Sequence, residues 1–373
     1  MTDAVVTALR EIANRDLYQR NAFHITGLST GVDRRTTRRR QQHVTAVLEA
    51  GADLETSGST DPDELRIAFD RLLGDPRRRL VDEVFGEWGR PTGECGCDVP
   101  VHQAHDEAVY AHASAIELLL APPGQQQYLA MWRRAGERWT TAMEDPQFWQ
   151  HLRNRVLSLD DWQLAASAID QIRSELSAAL TGPLLDLATT GDYPARVAKV
   201  LEDWPIGGAA TQRWVLDAMR PQYERAEDAT VALLRRLQQG HHEVDPVISE
   251  LDRSVLPVYR RLQVMLPSEQ HQRTLTLRDD IALVYHNGAV GIANEGSVHD
   301  ERITQLLDQA DGYAGTPAMK AKIMENRVTA QFLARNTPHY SLDDPPEPMS
   351  TGCIVALVVF IAVVFFILVA VFS

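Results

Sequence analysis

Twenty consecutive residues, Cys353–Phe372, carry no charge, no Gly and no Pro. A helix of that length spans roughly 30 Å, the thickness of a bilayer's hydrocarbon core, and satisfies its own backbone polar groups as lipid demands. Buried helices of water-soluble domains rarely run so far without a polar side chain. The stretch therefore predicts a C-terminal transmembrane helix, anchored through Cys353, Ile354, Phe360, Phe365, Phe366 and Phe372. The N-terminus, MTDAVVTALREIANRDL, has no basic stretch followed by an apolar run, so a secretory signal is not expected there. The two observations place the protein at the cell membrane as a single-pass, tail-anchored chain with its bulk in the cytosol.

The rest of the composition narrows the choices further. The chain has 373 residues, enough for two or three domains, and a net charge of −14 that argues against nucleic acid as a partner. Residues 1–90 hold 14 basic and 15 acidic side chains, so the acidity lies downstream. Ala, Arg and Asp are abundant and Lys is scarce, a bacterial-looking bias. Of the three cysteines, Cys353 is in the apolar stretch, and Cys95 and Cys97 are too few for a disulfide framework, which fits a reducing compartment.

Residues 1–90 read as a small helical domain. Val5, Leu9, Ile12 and Ala13 recur at helical spacing. A basic helix from about Asp33 to Glu49 carries Arg34, Arg35, Arg38, Arg39 and Arg40. Asp61-Pro62-Asp63-Glu64 has the N-cap, first-turn Pro and acidic residue that open a helix, and Asp75-Pro76 opens another. Within this span Phe23-His24-Ile25-Thr26-Gly27-Leu28, the basic helix, Ala68-Phe69-Asp70-Arg71-Leu72-Leu73-Gly74-Asp75-Pro76 and Arg79…Asp82-Glu83 resemble the J-domain of DnaJ-type co-chaperones over roughly 70 residues. The resemblance implies that the five arginines meet a protein partner, the acidic surface of a 70-kDa heat-shock chaperone. An anionic membrane surface is the alternative, and a solvated face the plain one. Ala50-Gly51-Ala52-Asp53 stands where that family carries the His-Pro-Asp that triggers ATP hydrolysis. A degenerate co-chaperone or scaffold is therefore implied, with an active co-chaperone as the rival.

Residues 91–100 read as a linker by their Gly and Pro content. Cys95-x-Cys97 followed by His102-x-x-His105 offers the donor types of a zinc site. The spacing matches no common zinc module, so incidental cysteines beside exposed histidines are the expected reading and zinc the alternative. From residue 101 to 335 the pattern is helical, with breaks expected at Pro183, Gly191 and Pro194. Asp145-Pro146 and Asp245-Pro246 open further helices. Ser158-Leu159-Asp160-Asp161 is expected to cap another. Trp132, Trp139, Trp149 and Trp162 fall on amphipathic faces and are expected in the core. No stretch alternates as a strand would. The last helices faintly resemble a tetratricopeptide unit but lack its landmarks and its period. The fold class is therefore all-α: a small J-like domain, an irregular helical bundle, a Pro-rich acidic stalk at 336–352, and the transmembrane helix at 353–372.

No phosphate-binding Gly loop, dinucleotide fingerprint, HExxH or GxSxG occurs. The expectation is a non-enzymatic binding protein without a cofactor.

Overall fold

The computed structural model describes residues 4–52, 58–91, 95–121, 127–165, 167–190, 193–239, 244–294 and 300–336. Residues 337–352 of the expected stalk and the apolar stretch 353–372 lie outside the described residues, and Asn336, expected to begin the stalk, ends α16. Among the described residues no helix is long and apolar enough to cross a membrane. The protein is all-helical, with no strand among the described residues.

Helix starts follow local chemistry. The Asp61 carboxylate accepts from the backbone N–H of Asp63 (2.8 Å) and opens α4 (Pro62–Gly74). Asp75 does the same for Arg77 and Arg78 at the head of α5 (Pro76–Phe85). Asp145 caps α8 (Pro146–Leu159) through Gln147 N–H at 2.8 Å. In each case Pro occupies a position whose N–H would have had no helical partner. The fourth Asp-Pro pair departs from the pattern. Asp245 lies one residue inside α12 (Val244–Glu250), and its carboxylate pairs with Arg302 instead. The α12 axis continues through a π-helical turn, Leu251–Val255, into α13 (Leu256–Met265). Pro257 cannot donate to an i−4 carbonyl, and a wider turn just before it accommodates that loss.

Two apolar cores organise the molecule. The small one joins Ala22, Phe23 and Ile25 of α2 (Ala22–Thr26) to Val44 of α3 (Arg34–Glu49) and Leu65, Ala68, Phe69 and Leu72 of α4. The large one takes in α1 (Ala4–Ile12), Leu80–Trp88 and the helices that follow: α6 (Val99–Leu120), α7 (Gln127–Glu144), α8, α9 (Ser167–Thr190), α10 (Pro194–Asp203), α11 (Ala209–Leu237), α12, α13, α14 (Gln272–Asn294), α15 (Glu301–Tyr313) and α16 (Pro317–Asn336). Val5, Leu9 and Ile12 thus pack into the larger body, where α1 lies against α5 and α9.

Helix α5 lies between the cores and is buried from Arg78 to Phe85. Its charged side chains are accordingly paired, as burial requires. Arg155 of α8 meets Glu83 and reaches Thr30 O. Arg79 donates to Leu72 O at 3.1 Å and to Val32 O, tying α5 to the small core.

Two further expectations fail. Trp132, Trp139 and Trp149 are buried, but Trp162 is 90% exposed. It sits on the turn between α8 and α9, because α9 begins at Ser167 rather than directly after Asp161. And Pro183 does not break the chain: α9 runs through it to Thr190. The next residue back explains how. A Cβ on Gly182 would come within 2.4 Å of Ala13 O, so the two backbones touch here and the surrounding packing keeps α9 continuous through its missing hydrogen bond.

Candidate metal centre

The segment between α5 and α6 carries Cys95 and Cys97. Gly96 between them has φ +65°, a left-handed conformation that suits Gly, and it bends the backbone so that both thiols serve one place. Helix α8 grips this segment with one stripe of side chains. Gln147 Nε2 donates to Asp98 at 3.2 Å, and Asn154 Nδ2 donates to Cys95 O at 2.8 Å. His151 lies between them on the same helical face. Its Nδ1 is 3.4 Å from Cys97 Sγ. From the first turn of α6, His102 brings Nε2 to 3.6 Å from Cys95 Sγ.

Cys95, Cys97, His102 and His151 therefore converge, with one donor atom of each within 4.8 Å of all the others. Zinc bonds of about 2.3 Å to sulfur and 2.0–2.1 Å to nitrogen, at tetrahedral angles, imply S···N edges of about 3.5–3.6 Å. The S···N separations of 3.4 and 3.6 Å are close to that size. Cys95, His102 and His151 are buried and Cys97 is half-buried, so the histidines are not the exposed pair that the sequence suggested.

The surroundings orient the donors. His102 Nδ1 lies 3.0 Å from Gly89 O, which can only accept, so that nitrogen carries the proton and Nε2 keeps its lone pair toward the sulfur. Gly89 is fixed in turn, because the Asp106 carboxylate accepts from the N–H groups of Trp88 (2.7 Å) and Gly89 (2.9 Å). The Trp88 ring is stacked between the rings of His105 and His151, 3.8 Å from each, and its Nε1 donates to Glu83 O. Burial, reinforced by nearby His102, His105 and Arg155, pulls His151 down to about 3. Burial also lowers His102. Neutral imidazoles are what a metal requires. Burial, then the adjacent Cys95, pushes the Cys97 thiol up to about 12. A metal would have to displace that proton, as zinc does from thiols.

His105 is not part of the group. Its Nε2 donates to Val84 O at 2.8 Å and its Nδ1 faces Asp106 at 3.1 Å, so both ring nitrogens are committed elsewhere. His151 takes its place. It lies 54 positions beyond Cys97, in a helix whose Phe148 and Leu152 mark it as core packing. The one local hint was the helical spacing that sets Gln147, His151 and Asn154 on one face of that helix.

No protein-family model, curated protein or solved structure matches this chain at a significant level.

The arginines of α3 are spread around their helix. Arg34 is held 2.5 Å from Asp161, while Arg35, Arg38 and Arg39 are exposed and Arg40 is half-buried. Asp61 of the Asp61-Pro62-Asp63 tripeptide is occupied as a helix cap. Cys353, Ile354, Phe360, Phe365, Phe366 and Phe372 lie outside the described residues.

Proposed function

We propose that this protein is a zinc-stapled, non-enzymatic helical scaffold, held at the cytosolic face of a membrane by its apolar C-terminal stretch. The convergence of Cys95, Cys97, His102 and His151 carries the zinc part of this reading. Four protein donors close a tetrahedral site and leave no position for a substrate, which is the pattern of structural rather than catalytic zinc. The two-sulfur, two-nitrogen donor set suits Zn(II) over hard ions such as Mg(II) and Ca(II). The metal would join the loop after α5 to α6 and α8, next to the buried Glu83–Arg155 pair. The exposed Arg35, Arg38 and Arg39 supply the surface for an acidic protein partner, in the manner of a degenerate J-like domain whose partner is a 70-kDa heat-shock chaperone.

Elemental analysis of the purified full chain tests the zinc reading. One zinc per chain is expected. Cys97→Ser and His151→Ala should lose it, and His105→Ala should keep it. Cobalt-loaded protein should show the intense visible bands of a tetrahedral thiolate site. A folded wild-type chain that takes up neither metal would overturn the proposal.

A further inference from the structure

Helix α16 buries only Ile323 among its twenty residues. Its inner side is held to the body by the contact of Asn326 with His286 and by Arg327, which pairs with Asp308 at 2.9 Å and donates to Leu307 O. The outer side of a terminal helix on a water-soluble bundle should be polar. Here Met324, Val328 and Phe332, each four residues apart and so on one face, are 55%, 59% and 63% exposed. Ala321 lies on the same strip and is exposed too. Lys320 stands one turn before the strip and Arg335 one turn after it, while exposed Glu325 borders one side with Lys322 beyond it.

Charge identifies what would cover this face. The chain is strongly acidic, yet α16 carries Lys320, Lys322, Arg327 and Arg335 against the single acidic Glu325. Two of the three lysines in the whole protein lie here. An apolar strip with long basic side chains at both ends, on a helix of net positive charge, is the make-up of a helix lying in a membrane interface. The apolar groups enter the acyl boundary, and the cationic ends reach up to the headgroups. Only residues 337–352 separate α16 from the apolar stretch. We infer that the outer face of α16, through Met324, Val328 and Phe332 with Lys320, Lys322 and Arg335, rests on an anionic lipid surface and so sets how the helical body sits against the bilayer. The inference rests on the reading that 353–372 spans that bilayer.

The test uses the full chain reconstituted into phosphatidylcholine vesicles, with and without phosphatidylglycerol, each carrying a photoreactive carbene precursor near the headgroup end of an acyl chain. Label is expected on the 317–336 peptide as well as on 353–372, and more of it on 317–336 when phosphatidylglycerol is present. Val328→Glu with Phe332→Glu should cut the 317–336 label about tenfold, as expected for losing two buried apolar side chains, and leave that on 353–372 unchanged. Lys320→Glu with Lys322→Glu should abolish the phosphatidylglycerol dependence. Label confined to 353–372 in the wild type would sink the inference and leave the anchor standing. Cross-linking of α16 to a second copy in place of lipid would also sink it. A chain that washes off the vesicles unlabelled would instead remove the anchor itself.

Discussion

Asp82 shows how a single side chain can report on the packing of the molecule. It is almost wholly buried on α5, and Arg78 donates to its Oδ1 at 3.3 Å. Its Oδ2 has no partner among the described residues. Burial pushes this carboxyl up to about 6, against the pull of Arg78 and Arg71. In the unfolded chain it titrates near 3.9. Between these values the folded protein binds more protons than the unfolded one, so stability falls as pH rises from about 4 to about 6. The full effect is on the order of 2–3 kcal/mol. Asp82→Asn should remove this contribution. Urea midpoints measured at pH 4.5 and pH 7 should then differ less in the variant than in the wild type. Equal pH dependence in the two proteins would mean that Asp82 stays ionised. The buried carboxyl was not legible in the sequence, because an Arg-rich, acidic decapeptide reads as a solvated helix. Only the tertiary setting, with helices on every side of α5, turns its charges inward.

At the scale of elements, the sequence was most informative where chemistry is local. The Asp-Pro starts of α4, α5 and α8 were legible because a cap is decided within four residues. Helix ends decided by distant contacts were not, and α9 is the clearest case. A Pro at 183 argues locally for a break, but Gly182 beside it gives α9 its close approach to Ala13, and packing overrides the local preference. The same contact makes a prediction. In an open helix Gly→Ala gains about 0.5–1 kcal/mol. At Gly182 the added methyl would lie 2.4 Å from Ala13 O and 2.5 Å from Ala13 Cβ, so α1 and α9 must move apart. Overpacking of this kind costs about 1–3 kcal/mol. Gly182→Ala should therefore lower the urea midpoint, while Gly74→Ala, where an added Cβ meets nothing within 4 Å, should leave it level or raise it. If both variants behaved alike, the α1–α9 crossing would not be close. The candidate site was half legible for a related reason. Cys95, Cys97 and His102 lie within one short segment, whereas His151 reaches them only because α8 folds back across it.

For the whole molecule, the site matters because of what it joins. The loop that follows α5 would be pinned to α6 by His102 and to α8 by His151, while the Trp88 indole stacks against His151 and donates to the backbone of Glu83 on α5. A ligand that binds only the folded state stabilises it by RT ln(1 + [L]/Kd), about 4 kcal/mol at a thousandfold excess over Kd. For a chain of this size that amounts to several degrees in melting temperature. Treating the full-length protein with a zinc chelator should lower its melting temperature by that much, and added zinc should restore it. The Cys97→Ser variant should melt low from the start and respond to neither. Hydrogen exchange should place the loosening. Amides of Cys95–His105 and of α8 should exchange faster on chelation, and those around Phe23 and Phe69 in the small core should change least. A melting temperature indifferent to chelator in a protein shown to carry zinc would separate binding from stability. It would mean that the apolar packing around Trp88 and Phe148 already holds the loop and that the metal fastens nothing.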